Sequence, residues 1–500
     1  MKRMIKFMIM GKLIVLCLVL MSCSSNERIG GISIRPRYVP PHINTSFKPC
    51  SLPPGSDKVI ITITGTDFKP IVREVSVATN PSGTTINGIP SGHERSVGIE
   101  VQDALHQSIA KGKTAGIVIR AGSTSTVDIL ITQVGVFTQL KTNVLPRAFA
   151  VSSPLPDGRY LIMGGMSDQQ STCGSGCVQL AATRSTEIYD PDTGTFEKGP
   201  DMKEPRVFFS AAVIADGSIA VLGGSDLVQV SCSMAVCTFS IPDNHAKNSI
   251  EVFDPASKSF YKAQSLAIPR AGQTADRVGE NTLLVAGGTG NSGPLATAEL
   301  IDIKTGSNIL LTMSTARAFQ TSITYRDDAL FLAGGTVSNG QTEFFQSAAF
   351  IPSTTITCPF YFPSAVYLNS TGIAVVNGGI GADGQPVSSF MVVDPVKRIV
   401  LSYHSMPLPR AFFSDMVLGD GTILLAGGIA DSDFSVFRTA EIFDPGSKSF
   451  VSSAVLNSAR AGYAAQSLRS GAALLVSGFS NINPLTGDIA FHDTAELFNP

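Results

Sequence analysis

The chain has 500 residues, a formal net charge of -2 and only 15% charged residues, with 47 glycines. Such a composition can build a large apolar interior, and it offers no basic excess for nucleic acid. Length alone would suggest about three domains, but internal repetition overrides that count.

Residues 1–22 read as a targeting segment. Lys2, Arg3, Lys6 and Lys12 form a positive n-region, and "LIVLCLVLM" from Leu13 is an apolar run too short to span a bilayer comfortably. The run ends in Leu20-Met21-Ser22-Cys23, which resembles the lipobox of bacterial lipoproteins. That resemblance implies a lipidated Cys23 at the mature N-terminus and an envelope location. Ser24 after the cysteine implies outer-membrane sorting, facing either the periplasm or the surface.

Residues 23–56, with "RPRYVPPH" and "SLPPGS", have no sustained period and read as a lipidated flexible tether. From 57 to 134 the pattern changes to short alternating runs such as "KVIITIT", "SVGIEV" and "TSTVDILI", which predict a small β-sandwich. "GHERSVGIEVQDA" and "AGSTSTVDILI" are similar to immunoglobulin-like or fibronectin-like modules.

Residues 135–500 repeat. A glycine pair or its variant stands at Gly164-Gly165, Gly223-Gly224, Gly287-Gly288, Gly334-Gly335, Gly378-Gly379, Gly427-Gly428 and Ser477-Gly478, at separations of 44 to 64 residues. Seventeen residues before the first member stand Arg147, Arg206, Arg270, Arg317, Arg410 and Arg460, and in the fifth unit the same step lands on Tyr361. Between Arg and the glycines lie two apolar stretches around Asp157-Gly158, Asp216-Gly217 or Asp420-Gly421, a tight-hairpin signal. These are strands a and b. "STEIYDP", "SIEVFDP", "TAEIFDP" and "TAELFNP" supply strand c, and "GTF" or "KSF" opens strand d.

Four strands repeated seven times resemble kelch repeats. The resemblance implies an all-β chain, a seven-bladed propeller preceded by the sandwich. One departure is the absence of Trp, with Phe196, Phe260 and Phe450 in its place near strand d. The last unit lacks strand d, and Phe137 stands ten residues before Arg147 just as Phe196 precedes Arg206. Residues 136–140 are therefore expected to seal the ring.

Glu187, Glu251, Glu299, Glu441 and Glu496 share a strand c position, which Ala348 takes in the fourth unit and Met391 in the fifth. A ring of Arg and a matching ring of Glu read as structural ion pairs, because a buried charge needs a partner and an Arg fork suits a carboxylate. Tyr403-His404 invites comparison with the copper-ligand pair of galactose oxidase, whose propeller is kelch-like. Here the dipeptide falls in strand d, with no converging ligands.

Cys173, Cys177, Cys232 and Cys237 cluster after two of the glycine pairs. They suit disulfides in an exported chain, with a four-thiolate zinc site as the alternative. From the second glycine to strand c the separations are 22, 27, 11, 13, 12, 13 and 18 residues, so the long loops of units seven, one and two should form a crescent. Asp168, Asp226, His245, Asp488 and His492 are its candidate binding residues. These features imply no catalytic constellation, metal or cofactor. They point to a membrane-anchored module that binds a protein or glycan. The alternatives are a carbohydrate-active enzyme, either an oxidase of the galactose oxidase kind or a glycan hydrolase or lyase, and a purely structural envelope component.

Overall fold

The computed structural model describes residues 29–41, 52–77, 84–140, 144–233, 236–326, 329–335, 340–431 and 435–500, and these contain strands, turns and loops without a helix. The signal segment, Cys23 and Cys50 lie outside them.

The N-terminal domain contains β1 (Ile29–Val39), β2 (Lys58–Gly65), β3 (Phe68–Ser76), β4 (Thr84–Pro90), β5 (Gly92–Gln102), β6 (Ser108–Ile119) and β7 (Thr124–Gln133). They form one continuous, nearly closed sheet in the order β3-β2-β5-β6-β7-β1-β4. Alternate residues of β2 and β5, including Ile61, Ile63, Val97, Ile99 and Val101, enter a single apolar core with Ile32 and Ile34.

β1 corrects the expectation of a tether through residue 56. It runs parallel to β7 and antiparallel to β4. Two features hid it in the sequence. Gly30 and Gly31 look like loop residues, yet a Cβ at Gly30 would lie 2.3 Å from Arg120 O, so close backbone packing requires the glycine. Pro36 looks like a strand breaker, yet it lies within β1 in register with Ile129 of β7.

The rest of the described chain is propeller-like. Each unit is a four-stranded antiparallel ladder a-b-c-d. In the sixth unit these are Ser414–Val417, Ile423–Ala426, Thr439–Asp444 and Ser449–Val455. Strand b lies between two others with both faces covered, which is why it reads as an unbroken apolar run. "ILLA", "IAVL" and "YLIM" are buried at every position. The a–b turn uses Asp420, whose Oδ1 accepts the Thr422 N–H at 3.0 Å, while Gly421 takes φ 87°. Strand c ends in an aspartate, such as Asp254 or Asp444, whose carboxylate accepts amides two and three residues on and shapes the c–d turn. The phenylalanines in place of Trp pack against strand c aromatics, as in Phe260 on Phe253 at 5.1 Å.

Neighbouring units are joined by one repeated bond. The second glycine's N–H donates to the carbonyl at the Arg position of the next unit, as from Gly165 to Arg206 and from Gly428 to Arg460, and Gly478 to Arg147 at 2.8 Å brings the last unit back to the first. β8 (Phe137–Leu140) pairs antiparallel with Ala495–Phe498 and supplies that unit's missing strand d.

Strands a carry two carboxyls in unusual states. Asp276 lies between the Ser322 and Thr324 hydroxyls of the next unit, and Asp415 faces Asn377 and Ser364 of the preceding one. Tyr463 and the Arg410 guanidinium stand within electrostatic range on the Asp415 side. Burial pushes Asp276 up to about 6 and Asp415 up to about 7, against the downward pull of these hydrogen bonds. Folding therefore takes up protons at both sites. Their penalty is absent below the ordinary carboxylate range and grows as pH rises through about 4 to 7. Asp415→Asn should raise stability at pH 8 by about 2 kcal/mol or more and leave it nearly unchanged at about pH 3. Thermal unfolding at the two pH values checks this; an equal effect at both would show that the carboxyl does not titrate in this window.

Candidate binding surface over the b–c face

The six arginines that precede strand a, in every unit but the fifth, are 0 or 1% exposed, and each pairs with a strand c glutamate of its own unit. Five of the pairs are Arg147–Glu187 at 2.7 Å, Arg206–Glu251 at 3.0 Å, Arg270–Glu299 at 2.8 Å, Arg317–Glu343 at 3.0 Å and Arg460–Glu496 at 2.8 Å. Arg410 and Glu441 form the sixth. Each Arg also donates to the carbonyl of its unit's first glycine position, as Arg270 does to Gly287 O at 2.7 Å. Most of the glutamates accept two amides from the incoming connection; Glu299 takes those of Ala267 and Ile268. The pair therefore clamps the entry of strand a to strands b and c.

Two register expectations are corrected here. In the fourth unit the pairing residue is Glu343, so the charge pair is present and Ala348 is no substitute. Ala348 sits outside the strands with φ 59°, and the chain turns between Gln346 and Ala349. In the fifth unit Tyr361 bridges Ile380, the role that the residue after Arg plays elsewhere, such as Ala411 opposite Ile429. Phe360 occupies the Arg position, since its carbonyl accepts the Gly335 N–H. The a–b hairpin of that unit is one residue longer, with Leu368 paired to Ile373, so counting back from the glycines lands one residue late. Phe360 and Met391 both pack into one apolar cluster, replacing ion pair by hydrophobic contact.

Two residues after the Arg position, Phe149, Phe208, Phe319, Phe362 and Phe412 adopt φ between 52° and 56°, and Gly272 and Gly462 complete the set. Their rings converge. Phe319 stacks on Phe362 at 4.4 Å, Phe362 meets Phe412 at 4.7 Å, and Phe149 meets Phe208 at 5.0 Å. The recurrent "RAF", "RVF" and "YF" carried this signal in the sequence, but an aromatic beside a strand reads as ordinary core until the ring is closed.

The long loops of units one, two and seven fold over this plug. Met166–Gly174 and Cys177–Ala182 form one hairpin, Leu227–Ser233 and Val236–Ser240 another, and the two pair side by side through Cys177–Ala181 and Leu227–Ser231. The third hairpin, Phe479–Ile482 with Ile489–Phe491, docks through Gln170, whose side chain exchanges two hydrogen bonds with Ile489. Val178, Leu180, Val228, Val230, Ile482 and Ile489 are buried against Phe208 and Phe412. Disulfides Cys173–Cys177 and Cys232–Cys237 each close a hairpin tip locally, so these four thiols are not free to form a zinc site.

The five candidate residues divide. Asp168 and Asp488 are exposed on the cap. Asp226 is held by His245 at 2.6 Å and Lys247 at 2.9 Å; burial alone would raise its carboxyl, but these bonds hold it below the ordinary range. His492 points inward to Ala459 O at 2.6 Å, and burial lowers its affinity for a proton. Sequence reasoning missed Leu485, 82% exposed in the third hairpin, whose carbonyl approaches the Gly176 tip.

These features define a propeller-like all-β protein with a capped axis. Its fold is similar to that of a solved "novel fungal alcohol oxidase with catalytic diversity among the AA5 family, in complex with copper", at 17% identity and TM-score 0.54, over 73% of this chain and 76% of that one. No protein-family model matches the chain, and no curated protein does. The residues at this axis do not fit copper. The axis beneath the cap is filled by phenylalanine rings, and among the described residues no three His, Cys, Asp or Glu side chains group to hold a metal. Tyr403 is 66% exposed on strand d, and His404 packs against Phe390 and Phe443 with Nε2 on Ser402 Oγ.

Proposed function

We propose that this chain is a bacterial envelope lipoprotein in which a seven-bladed kelch-type propeller, preceded by an immunoglobulin-like sheet, binds a protein or glycan partner without catalysis. The observation that carries the binding reading is the cap. Three hairpins, two of them stapled at the tip, present Asp168, Leu485 and Asp488 on a surface whose ordering cost is already met within the fold. The runner-up, a carbohydrate-active enzyme, draws on the likeness of fold alone, and fold does not fix function.

Lipidation of Cys23 would place the N-terminal sheet close to the bilayer. Only residues 24–28 separate that cysteine from β1, a reach of about 18 Å when fully extended. The propeller would then stand on a short stalk rather than a long leash.

Photo-crosslinking from position 169 of the cap and, as a control, from Tyr403 on the outer strand tests the reading in envelope preparations and on glycan arrays. A specific adduct from the cap, lost in a folded Leu485→Asp variant and no longer membrane-associated in Cys23→Ala cells, is expected. Adducts from both positions alike, or none from the cap, would remove the cap from the proposal; stoichiometric copper in the purified protein would restore the enzyme reading.

A further inference from the structure

In each unit, strand d has strand c on one side and, among the described residues, no strand on the other, so its outer backbone edge is open to pairing. In every unit but the third that edge is blunted. The strand of unit one, Thr195–Lys198, is short and carries Glu197 and Lys198, and that of unit two carries Lys262. Pro352 removes a donor from the strand of unit four, and Leu401 and Val451 bulge out of the ladders of units five and six. β8, which completes unit seven, is four residues long and mostly buried.

Unit three has none of these devices. Its strand d, Asn308–Arg317, carries no charge before the buried Arg317 and no proline. Asn308–Thr312 stay in unbroken register with Ile301–Thr297, and Ile309 and Leu310 are 53% and 55% exposed. The direction of the free backbone groups follows from the turn. Asp302 N–H donates to Ser307 O at 2.9 Å, and hydrogen-bonded pairs alternate along an antiparallel ladder. Ile309 and Leu311 therefore bond inward to Leu300 and Ala298, while Asn308, Leu310 and Thr312 turn N–H and C=O outward.

This edge matches itself. A two-fold axis through Leu310 sets that residue opposite its own copy, Ile309 opposite Leu311 and Asn308 opposite Thr312, so apolar side chains meet at the centre and neutral polar ones at the ends. No like charges are opposed, because Lys304 falls opposite Ala316 and is already held by Asp216 at 3.3 Å. A charged partner strand would find no countercharge here. The N-terminal sheet packs on units seven and one, where Leu130 meets Leu468 and Tyr160, and the cap hairpins come from units seven, one and two; neither covers Ile309 or Leu310.

We propose that two copies of this chain associate through the outer edge of unit three, with Asn308–Thr312 of each pairing antiparallel about a two-fold axis at Leu310. The two four-stranded ladders become one continuous sheet. Leu310 N–H donates to the Leu310 carbonyl of the second copy and its own carbonyl accepts in return. Each copy spends its one unblunted strand d edge, so the assembly closes as a dimer and does not grow. The contact lies on the outer wall, apart from the cap, and does not depend on the cap's binding a partner.

Sedimentation of the mature chain from micromolar to hundreds of micromolar provides the test, and a reversible monomer–dimer equilibrium without larger species is expected. Leu310→Lys and Leu310→Glu each oppose like charges at the axis and should weaken self-association about tenfold or more. An equal mixture of the two variants should recover the dimer, because Lys then faces Glu. Val455→Lys, at a 60% exposed position on strand d of unit six, should leave the equilibrium unchanged. Thermal unfolding verifies that the variants are folded, which the exposure of Leu310 favours. A purely monomeric chain at hundreds of micromolar, dimers that persist in both folded Leu310 variants, or charged variants that fail to associate with each other would overturn the assignment.

Discussion

Glu299→Gln is expected to cost the propeller about 3–5 kcal/mol, because it leaves the Arg270 guanidinium buried without a countercharge. Arg270 and Glu299 are both 0% exposed, and burial already pulls the guanidinium below its ordinary pKa while Glu299 pulls it back. The fifth unit supplies the control, since Phe360 and Met391 meet the same geometric demand without charge. Transplanting them as Arg270→Phe with Glu299→Met should recover only part of the loss. The amides of Ala267 and Ile268, which Glu299 accepts in the native protein, would remain unpaired. In the fifth unit the Cys358 N–H in the incoming connection is bonded instead to Gly340 O. Urea unfolding of the three chains measures this. A loss under about 1 kcal/mol for Glu299→Gln would mean that desolvation cancels the attraction and that the pairs give geometry rather than stability.

Phe137→Ala carries the second large effect, about 3–4 kcal/mol. Phe137 is 1% exposed, meets Phe498 at 4.9 Å and accepts Asn457 Nδ2 on its carbonyl at 3.0 Å, so it fixes the strand that completes the last unit. Its removal opens a cavity at the seam where the ends of the repeat meet. The variant should also unfold faster, and limited proteolysis should cut first near residues 137–140. An unchanged denaturation midpoint would place the stability of the ring elsewhere.

The glycine pairs show how local chemistry and long-range closeness combine. Gly427 has φ 58°, and a Cβ there would lie 2.3 Å from Arg460 O, so conformation and packing both demand glycine. Ser477 takes that place in the last unit with φ 58°. Its hydroxyl accepts the Arg147 N–H at 2.8 Å and lies 2.7 Å from Arg147 O, a local compensation at the closing joint.

By itself the sequence determined whatever repeats at short range. Strand b runs are continuous because both faces are covered, the Asp-Gly turns are local, and the Arg-to-glycine spacing is the length of one hairpin. Even the seal by residues 136–140 was legible, as an unpaired strand c at one end and a stray strand d at the other. Tertiary structure decided everything that depends on which strand meets which. Glu343 and Phe360 could be assigned only from cross-strand partners, because a turn one residue longer shifts every count beyond it. β1 is a strand because β7 and β4 flank it, despite two glycines and a proline. The cap and the phenylalanine plug arise where units far apart in the chain converge on one axis. No periodicity along a single chain encodes that convergence, since it comes from closing the ring.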